Sequence, residues 1–216
     1  MTNLTRLYLL RHGEVEPAYQ RVFGGRIDMN LSPGGQEQAR ALAEYLQNIP
    51  LHAVYASPMQ RVRQTLAPYT ELTGRPVEFV EGFREVDFGD WTGLSFAAVL
   101  ERYGVTAYTW LDQLTSGQMP NAESAAAFRH RLEAPLRQIQ QRHAGQSVAV
   151  FCHGGVVRGL LSILCDLPLH KMARFEVDYA SLTCVEISPR GADIRLLNFT
   201  PWRDLSVEVC IATQKS

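Results

Sequence analysis

Two stretches of the chain are apolar at every position and too short to be helices: Leu7-Tyr8-Leu9-Leu10 and Val148-Ala149-Val150-Phe151-Cys152. Such runs suit central strands of a parallel sheet, covered on both faces. Each stops at a polar break with histidine and glycine, Arg11-His12-Gly13 in one case and His153-Gly154-Gly155 in the other. Ala53-Val54-Tyr55-Ala56 and the segment from Val77 to Val80 read as two more short strands. Ser32-Pro33 supplies an N-cap and first residue for a helix reaching about Leu46, with Ala39, Leu42, Ala43 and Leu46 on one face. Ser57-Pro58 reads as a second pair of that kind. A long helix is expected from Glu123 to about His143 and another from Val156 to Leu164. Residues 94–117 are expected to mix helix and loop, and residues 182–188 and 192–199 to form a hairpin across Pro189-Arg190-Gly191-Ala192. The segment from Leu205 to Ala212 reads as an edge strand that would assist a homodimer.

These elements predict an α/β fold: a three-layer sandwich with a mostly parallel central sheet and a small helical cap inserted at about residues 90–125. With no repeat, low-complexity tract or linker, one domain over residues 1–216 is the economical reading. In open sheets of this class, ligands bind beyond the carboxyl ends of the strands. The two histidine-glycine breaks lie at two such ends, so they point to one pocket.

The 216 residues are 46% hydrophobic and 20% charged, ordinary for a globular protein, and 21 Lys plus Arg nearly balance 22 Asp plus Glu. No strong overall field favours nucleic acid or an anionic membrane, so affinity for a phosphorylated ligand must come from a local basic cluster. Cys152, Cys165, Cys184 and Cys210 are scattered, with no C-x-x-C pair, which suits reduced thiols in a cytoplasmic protein better than a disulfide framework or zinc site. The first apolar run is far too short for a signal sequence or a membrane span.

The chemistry concentrates in four places. A lone His12 beside Arg11 would read as a surface pair. The second histidine at another strand end changes that, because glycine after each lets an anion approach backbone amides, and the helix starting near Gly154 offers its N-terminus to a phosphate. Arg61 and Arg63 lie two residues apart on the helix after Ser57-Pro58 and cannot both face one pocket. An arginine at that place can grip two phosphate oxygens. The loop Glu85-Val86-Asp87-Phe88-Gly89-Asp90-Trp91-Thr92-Gly93 carries three carboxylates without the histidine support of a metal site. A glutamate desolvated by Phe88 and Trp91 would suit protonation of an alkoxide leaving group, whereas Asp90 reads better as a solvated turn residue. Cys152 lacks the C-x₅-R spacing of a cysteine phosphatase, since Arg158 lies six positions on, and reads as strand filler.

Leu10-Arg11-His12-Gly13-Glu14, Ser57-Pro58-x-x-Arg61-x-x-Gln64-Thr65, Glu85-x-x-x-Gly89-x-x-x-Gly93 and Phe151-Cys152-His153-Gly154-Gly155 stand in an order that resembles the histidine phosphatase (phosphoglycerate-mutase-like) superfamily. The spacer Gly25-x-x-Asp28-x-x-Leu31-Ser32-x-x-Gly35 also fits. The resemblance implies metal-independent, cofactor-free cleavage of a phosphomonoester, with His12 as the nucleophile that becomes phosphohistidine. By the same resemblance Arg11, Arg61 and His153 hold the phosphoryl oxygens, Glu85 is the general acid, and Gly25 and Gly154 border the substrate; Arg61 is chosen over Arg63 on this match. A phosphoryl transition state needs positioning and charge neutralisation, which two arginines and a histidine supply.

Departures from the mutase pattern favour hydrolysis. Val15, Glu16, Pro17 and Ala18 follow Glu14 where mutases read S/T-x-W-N, and the middle region is short. The Arg11-His12-Gly13-Glu14-Val15 opening, the Asp87–Gly93 loop and Asn121-Ala122-Glu123-Ser124 look similar to the α-ribazole phosphatase branch, which removes a 5′-phosphate late in cobalamin assembly. A small phosphorylated metabolite such as α-ribazole 5′-phosphate is therefore the expected substrate. Phe96, Tyr108, Trp110, Trp91 and Tyr103 are candidates to stack on a ring. The rival readings are a phosphoglycerate-type mutase, a phosphoprotein phosphatase of the same superfamily, and a non-catalytic phospholigand module, the last disfavoured because binding alone does not need Glu85.

Overall fold

The fold is known from a computed structural model, which describes residues 4–205. Six strands form one sheet in the order β3-β2-β4-β1-β5-β6, with β1 Thr5–Arg11, β2 Ala53–Ala56, β3 Glu78–Phe79, β4 Ser147–Cys152, β5 Leu182–Ser188 and β6 Gly191–Phe199. β1 pairs in parallel with β4, from Arg6↔Ser147 to Arg11↔Cys152, and in an antiparallel sense with β5. β6 reverses again beside β5, so β5 alone runs against the other five strands.

The continuous apolar runs exist because the sheet is covered twice. Leu7, Leu9, Val148, Val150 and Cys152 face a core shared with helices α5 (Ala125–Arg142) and α6 (Gly154–Leu164). Leu10, Ala149 and Phe151 face the opposite core, built with α1 (Pro33–Leu46) and α2 (Gln60–Thr73). Side chains alternate across a strand, so a strand between two helix layers needs apolar residues throughout. Burying Leu7, Leu9 and Leu10 stabilises by about 1.5–3 kcal/mol each. Between β3 and α5 the chain adds α3 (Phe96–Tyr103) and α4 (Trp110–Thr115), which place Val99, Leu111 and Leu114 in the first core.

Most expected elements are present with small boundary changes. Ser32 caps α1, its Oγ accepting from the Gly35 N–H at 2.9 Å. β3 is shorter than the expected strand, α5 begins after a Ser124 cap rather than at Glu123, and α6 begins at Gly154 rather than Val156. The Ser57-Pro58 cap is a correction. α2 begins at Gln60 with Met59 in the N-cap position and no side-chain cap from it. The Ser57 N–H still bonds the Phe151 carbonyl at 2.9 Å, which carries the sheet past β2, and Asp28 Oδ1 receives the Gln60 N–H from another loop at 3.2 Å. The expected strand over Leu205 to Ala212 lies beyond the described residues after its first position, as does Cys210. No helix among the described residues is long and apolar enough to cross a membrane.

Candidate active site

Register makes the centre of the site. Because Arg11 pairs with Cys152 on adjacent parallel strands, the next residues, His12 and His153, leave the sheet side by side, their rings edge to face with centroids 5.3 Å apart. A cavity of about 280 Å³ opens there, and Arg11, His12, Gly25, Arg61, Glu85 and Gly154 lie on its wall. His153 is fully buried beside His12. The expected site residues, drawn from five separate stretches of sequence, are thus gathered beyond the carboxyl ends of β1, β2 and β4.

His12 Nδ1 lies 2.8 Å from the Gly13 carbonyl and Nε2 lies 3.2 Å from Arg61 Nε. A carbonyl only accepts and a guanidinium only donates, so the proton sits on Nδ1 and Nε2 keeps its lone pair. Burial, then the charges of Arg61 and Arg11, holds the His12 pKa well below the usual histidine value, so the ring is neutral at neutral pH. Arg61 is itself almost fully buried, its Nη1 and Nη2 donating to the carbonyls of Ile27 (2.8 Å) and Gly25 (2.9 Å). Burial lowers its pKa to about 10, partly offset by Glu85, which leaves it a fixed cation. Gly25 has φ +47°, and a Cβ there would lie 3.1 Å from the Val86 carbonyl oxygen. Arg11 donates through Nη1 to the Val177 carbonyl at 2.6 Å and lies 4.0 Å over the Tyr179 ring, while its Nε is buried without a partner among the described residues.

The surroundings of Glu85 differ from expectation. Trp91 is turned into the core against Phe23 and Tyr103, so it does not desolvate the carboxylate; Phe88 does line the cavity. Glu85 Oε1 accepts from the Val86 N–H at 3.0 Å and Oε2 from the Gly155 N–H at 3.1 Å. Gly13 also has a different reason to be glycine: a Cβ would sit 2.6 Å from the Gly35 carbonyl oxygen. Of the ring-stacking candidates, Phe96, Tyr108 and Trp110 reach the cavity, whereas Trp91 and Tyr103 pack against one another. Burial pushes the Cys152 thiol far up, which agrees with its reading as strand filler.

Several side chains in and around the cavity escape sequence reasoning. Arg158 adds a third guanidinium to the wall, with Nε donating to the Phe175 carbonyl at 3.2 Å and Nη1 to the Gly154 carbonyl at 3.3 Å. Its position four residues after Gly154, on the same helix face, was the available signal. Arg131 ties down the loop that carries Glu85, donating to the carbonyls of Gly82 (2.7 Å), Arg84 (2.6 Å) and Glu85 (3.1 Å) and to Glu123 Oε1 (2.6 Å). Glu123 Oε1 in turn receives the Asp87 N–H at 2.8 Å. Nothing local in sequence marks that buckle. No group of three His, Cys, Asp or Glu side chains among the described residues is placed to hold a metal ion.

Comparison with known proteins adds independent information. The family model described as the histidine phosphatase superfamily (branch 1) matches residues 7–200. Phosphoserine phosphatase 1 of Hydrogenobacter thermophilus is 29% identical over 197 residues, 91% of this chain and 93% of its own length. The adenosylcobalamin/alpha-ribazole phosphatase of Escherichia coli K12 is 26% identical over 193 residues, 89% of this chain and 95% of its own. The crystal structure of the alpha-ribazole phosphatase from Shigella flexneri has a TM-score of 0.78 at 26% identity, covering 90% of this chain and 96% of that one.

Proposed function

Because this chain belongs to the histidine phosphatase superfamily and, like the phosphatases it matches, is a hydrolase of phosphate monoesters, we propose that it works by passing the phosphoryl group to His12 Nε2 and from there to water. The observation that carries the proposal is the tautomer: the Gly13 carbonyl holds the proton on Nδ1, so a neutral Nε2 faces a cavity walled by guanidinium groups. In the first step the Nε2–P bond forms as the P–O bond to the leaving group breaks, and the Glu85 carboxylic acid protonates the departing oxygen. In the second, the Glu85 carboxylate takes a proton from water as the water oxygen attacks phosphorus and Nε2 is released. Arg11, Arg61 and His153 hold the equatorial oxygens, and Gly25 and Gly154 border them. Arg61 Nε, now on the Nε2 lone pair, turns to the phosphoryl group when substrate enters.

The proposed substrate is a small phosphorylated metabolite whose leaving group carries a ring, such as α-ribazole 5′-phosphate. Phe96, Tyr108 and Trp110 on the cavity wall support this, with residues 90–125 acting as the cap that presents them. Aromatic contacts of that kind contribute about 0.5–1.5 kcal/mol beyond area burial. The names of the Escherichia coli and Shigella relatives point the same way. A cytoplasmic location is part of the same reading, supported by unpaired thiols at Cys152, Cys165 and Cys184.

The test is hydrolysis of p-nitrophenyl phosphate in EDTA, with α-ribazole 5′-phosphate, phosphoserine and 3-phosphoglycerate alongside and acid-labile phosphoenzyme trapped by rapid quench. Turnover and phosphoenzyme both lost in His12→Ala support the chemistry, and preference for the ribazole ester supports the substrate. Turnover that survives His12→Ala would sink the phosphohistidine route.

A further inference from the structure

We propose that Ser57 is a positioning residue for this reaction: its hydroxyl donates to His153 Nε2 and thereby fixes the ring proton on Nδ1, the atom that then donates to a phosphoryl oxygen. The proposal rests on the reading of His153 as a phosphoryl-holding residue.

Ser57 is fully buried, and its Oγ has two hydrogen-bonding neighbours, the Met59 N–H at 3.4 Å and His153 Nε2 at 2.8 Å. A backbone N–H only donates, so Nε2 is the neighbour able to accept the serine hydrogen. A neutral imidazole that accepts at Nε2 carries its proton at Nδ1. Burial, with Arg61, His12 and Arg11 after it, pushes the His153 pKa well below its usual value, so the ring is neutral as this argument requires.

His153 Nδ1 is buried and has no partner among the described residues, and Arg11 Nε is in the same condition. Buried donors left unmade are costly, and two of them near one nucleophile mark groups that a ligand completes. Ser57 is free for this task because it is not spent as a helix cap. Its own N–H stays in the sheet ladder and Asp28 serves the first N–H of α2. A serine that looks in sequence like the start of a helix instead sets which nitrogen of a neighbouring histidine holds the proton.

The experiment is long-range ¹H–¹⁵N correlation on the full chain with ¹⁵N-labelled histidine, free and with orthovanadate bound, beside kinetics on p-nitrophenyl phosphate. Wild type should show His153 with its proton on Nδ1. Ser57→Ala should lose that signature while still forming phosphohistidine on His12. Its kcat/KM should fall about 10- to 100-fold, with vanadate inhibition weakened similarly, the effect of one hydrogen bond to a charged group. A proton on Nε2 of His153 in the wild type overturns the proposal even if the variant fails to fold, and so does unchanged kcat/KM in Ser57→Ala. Failure of the underlying chemistry looks different: no phosphoenzyme forms in the wild type, or His12→Ala stays active.

Discussion

Adding one methyl group at Gly155 should separate proton donation from phosphoryl transfer. A Cβ built there lies 2.4 Å from Glu85 Oε1 and 3.2 Å from its Cδ, with Val86 Cγ2 at 3.1 Å. Ordinary contact begins at 3.4 Å, so the carboxylate must withdraw by about 1 Å, and the Gly155 N–H bond to Oε2 at 3.1 Å is lost or stretched. A 1 Å misplacement of a reacting group costs about 100-fold, or about 2.7 kcal/mol of barrier. Gly155→Ala should therefore lower kcat on an alkyl phosphate about 100-fold. On p-nitrophenyl phosphate, whose leaving oxide needs little protonation, the loss should be under about fivefold. Stability should change little, because the new methyl group meets the ends of two side chains, Glu85 and Val86, rather than backbone. The assay is kcat for both esters with thermal unfolding of both proteins. Equal losses on the two esters, or none on the alkyl ester, would refute Glu85 as the acid.

Acidification should destabilise the fold before it silences the nucleophile. The folded pKa values of His12 and His153 lie well below the unfolded value of 6.5. Between those limits the unfolded chain binds protons the native state refuses, so stability is full above about pH 6.5 and declines as pH falls. Urea midpoints should drop from about pH 7.5 to about pH 5.5 while phosphoenzyme still forms, and a midpoint that rose on acidification would contradict the burial argument. Arg131→Met leaves Glu123 without its close cation and frees the loop carrying Glu85. It should cost about 3–5 kcal/mol in urea unfolding and lower kcat in what remains folded, and wild-type stability would remove Arg131 as the buckle. Gly35→Ala places a Cβ 2.0 Å from the Glu14 carbonyl oxygen, backbone that cannot swing aside. A loss of at least about 1–3 kcal/mol is expected in the same measurement, and a neutral result would refute the close approach of Gly35 to the Glu14 backbone.

The pattern of the chain reveals its sheet because β1 and β4 lie between two helix layers, which calls for apolar residues at every position of Leu7–Leu10 and Val148–Cys152. The histidine-glycine breaks are legible for the same reason, since they mark where those strands end. What local sequence does not carry is which partner takes a polar group. Ser57 carries the signature of an N-cap, yet the Phe151 carbonyl keeps its backbone in the sheet and His153 takes its hydroxyl. Trp91 stands next to the acidic loop in sequence and points away from it in space. Glu123 looks like an ordinary charge before a helix and Arg131 like an ordinary charge within one, until loop 82–87 folds over them. Each of these depends on contacts between residues far apart in sequence.

The order of the strands also has a consequence for how the chain is made. β1 is synthesised first, yet both strands that flank it, β4 and β5, come from the last third of the chain. Until then an apolar strand with two open edges waits for its neighbours, and pairings of such sequence separation form slowly. His12 meets His153 in the same late event, so no chain that stops before β4 can bring the two histidines together. Chains that stop short of Ser147 should be inactive and drawn to other unpaired edges, which activity and aggregation assays on such truncations would show.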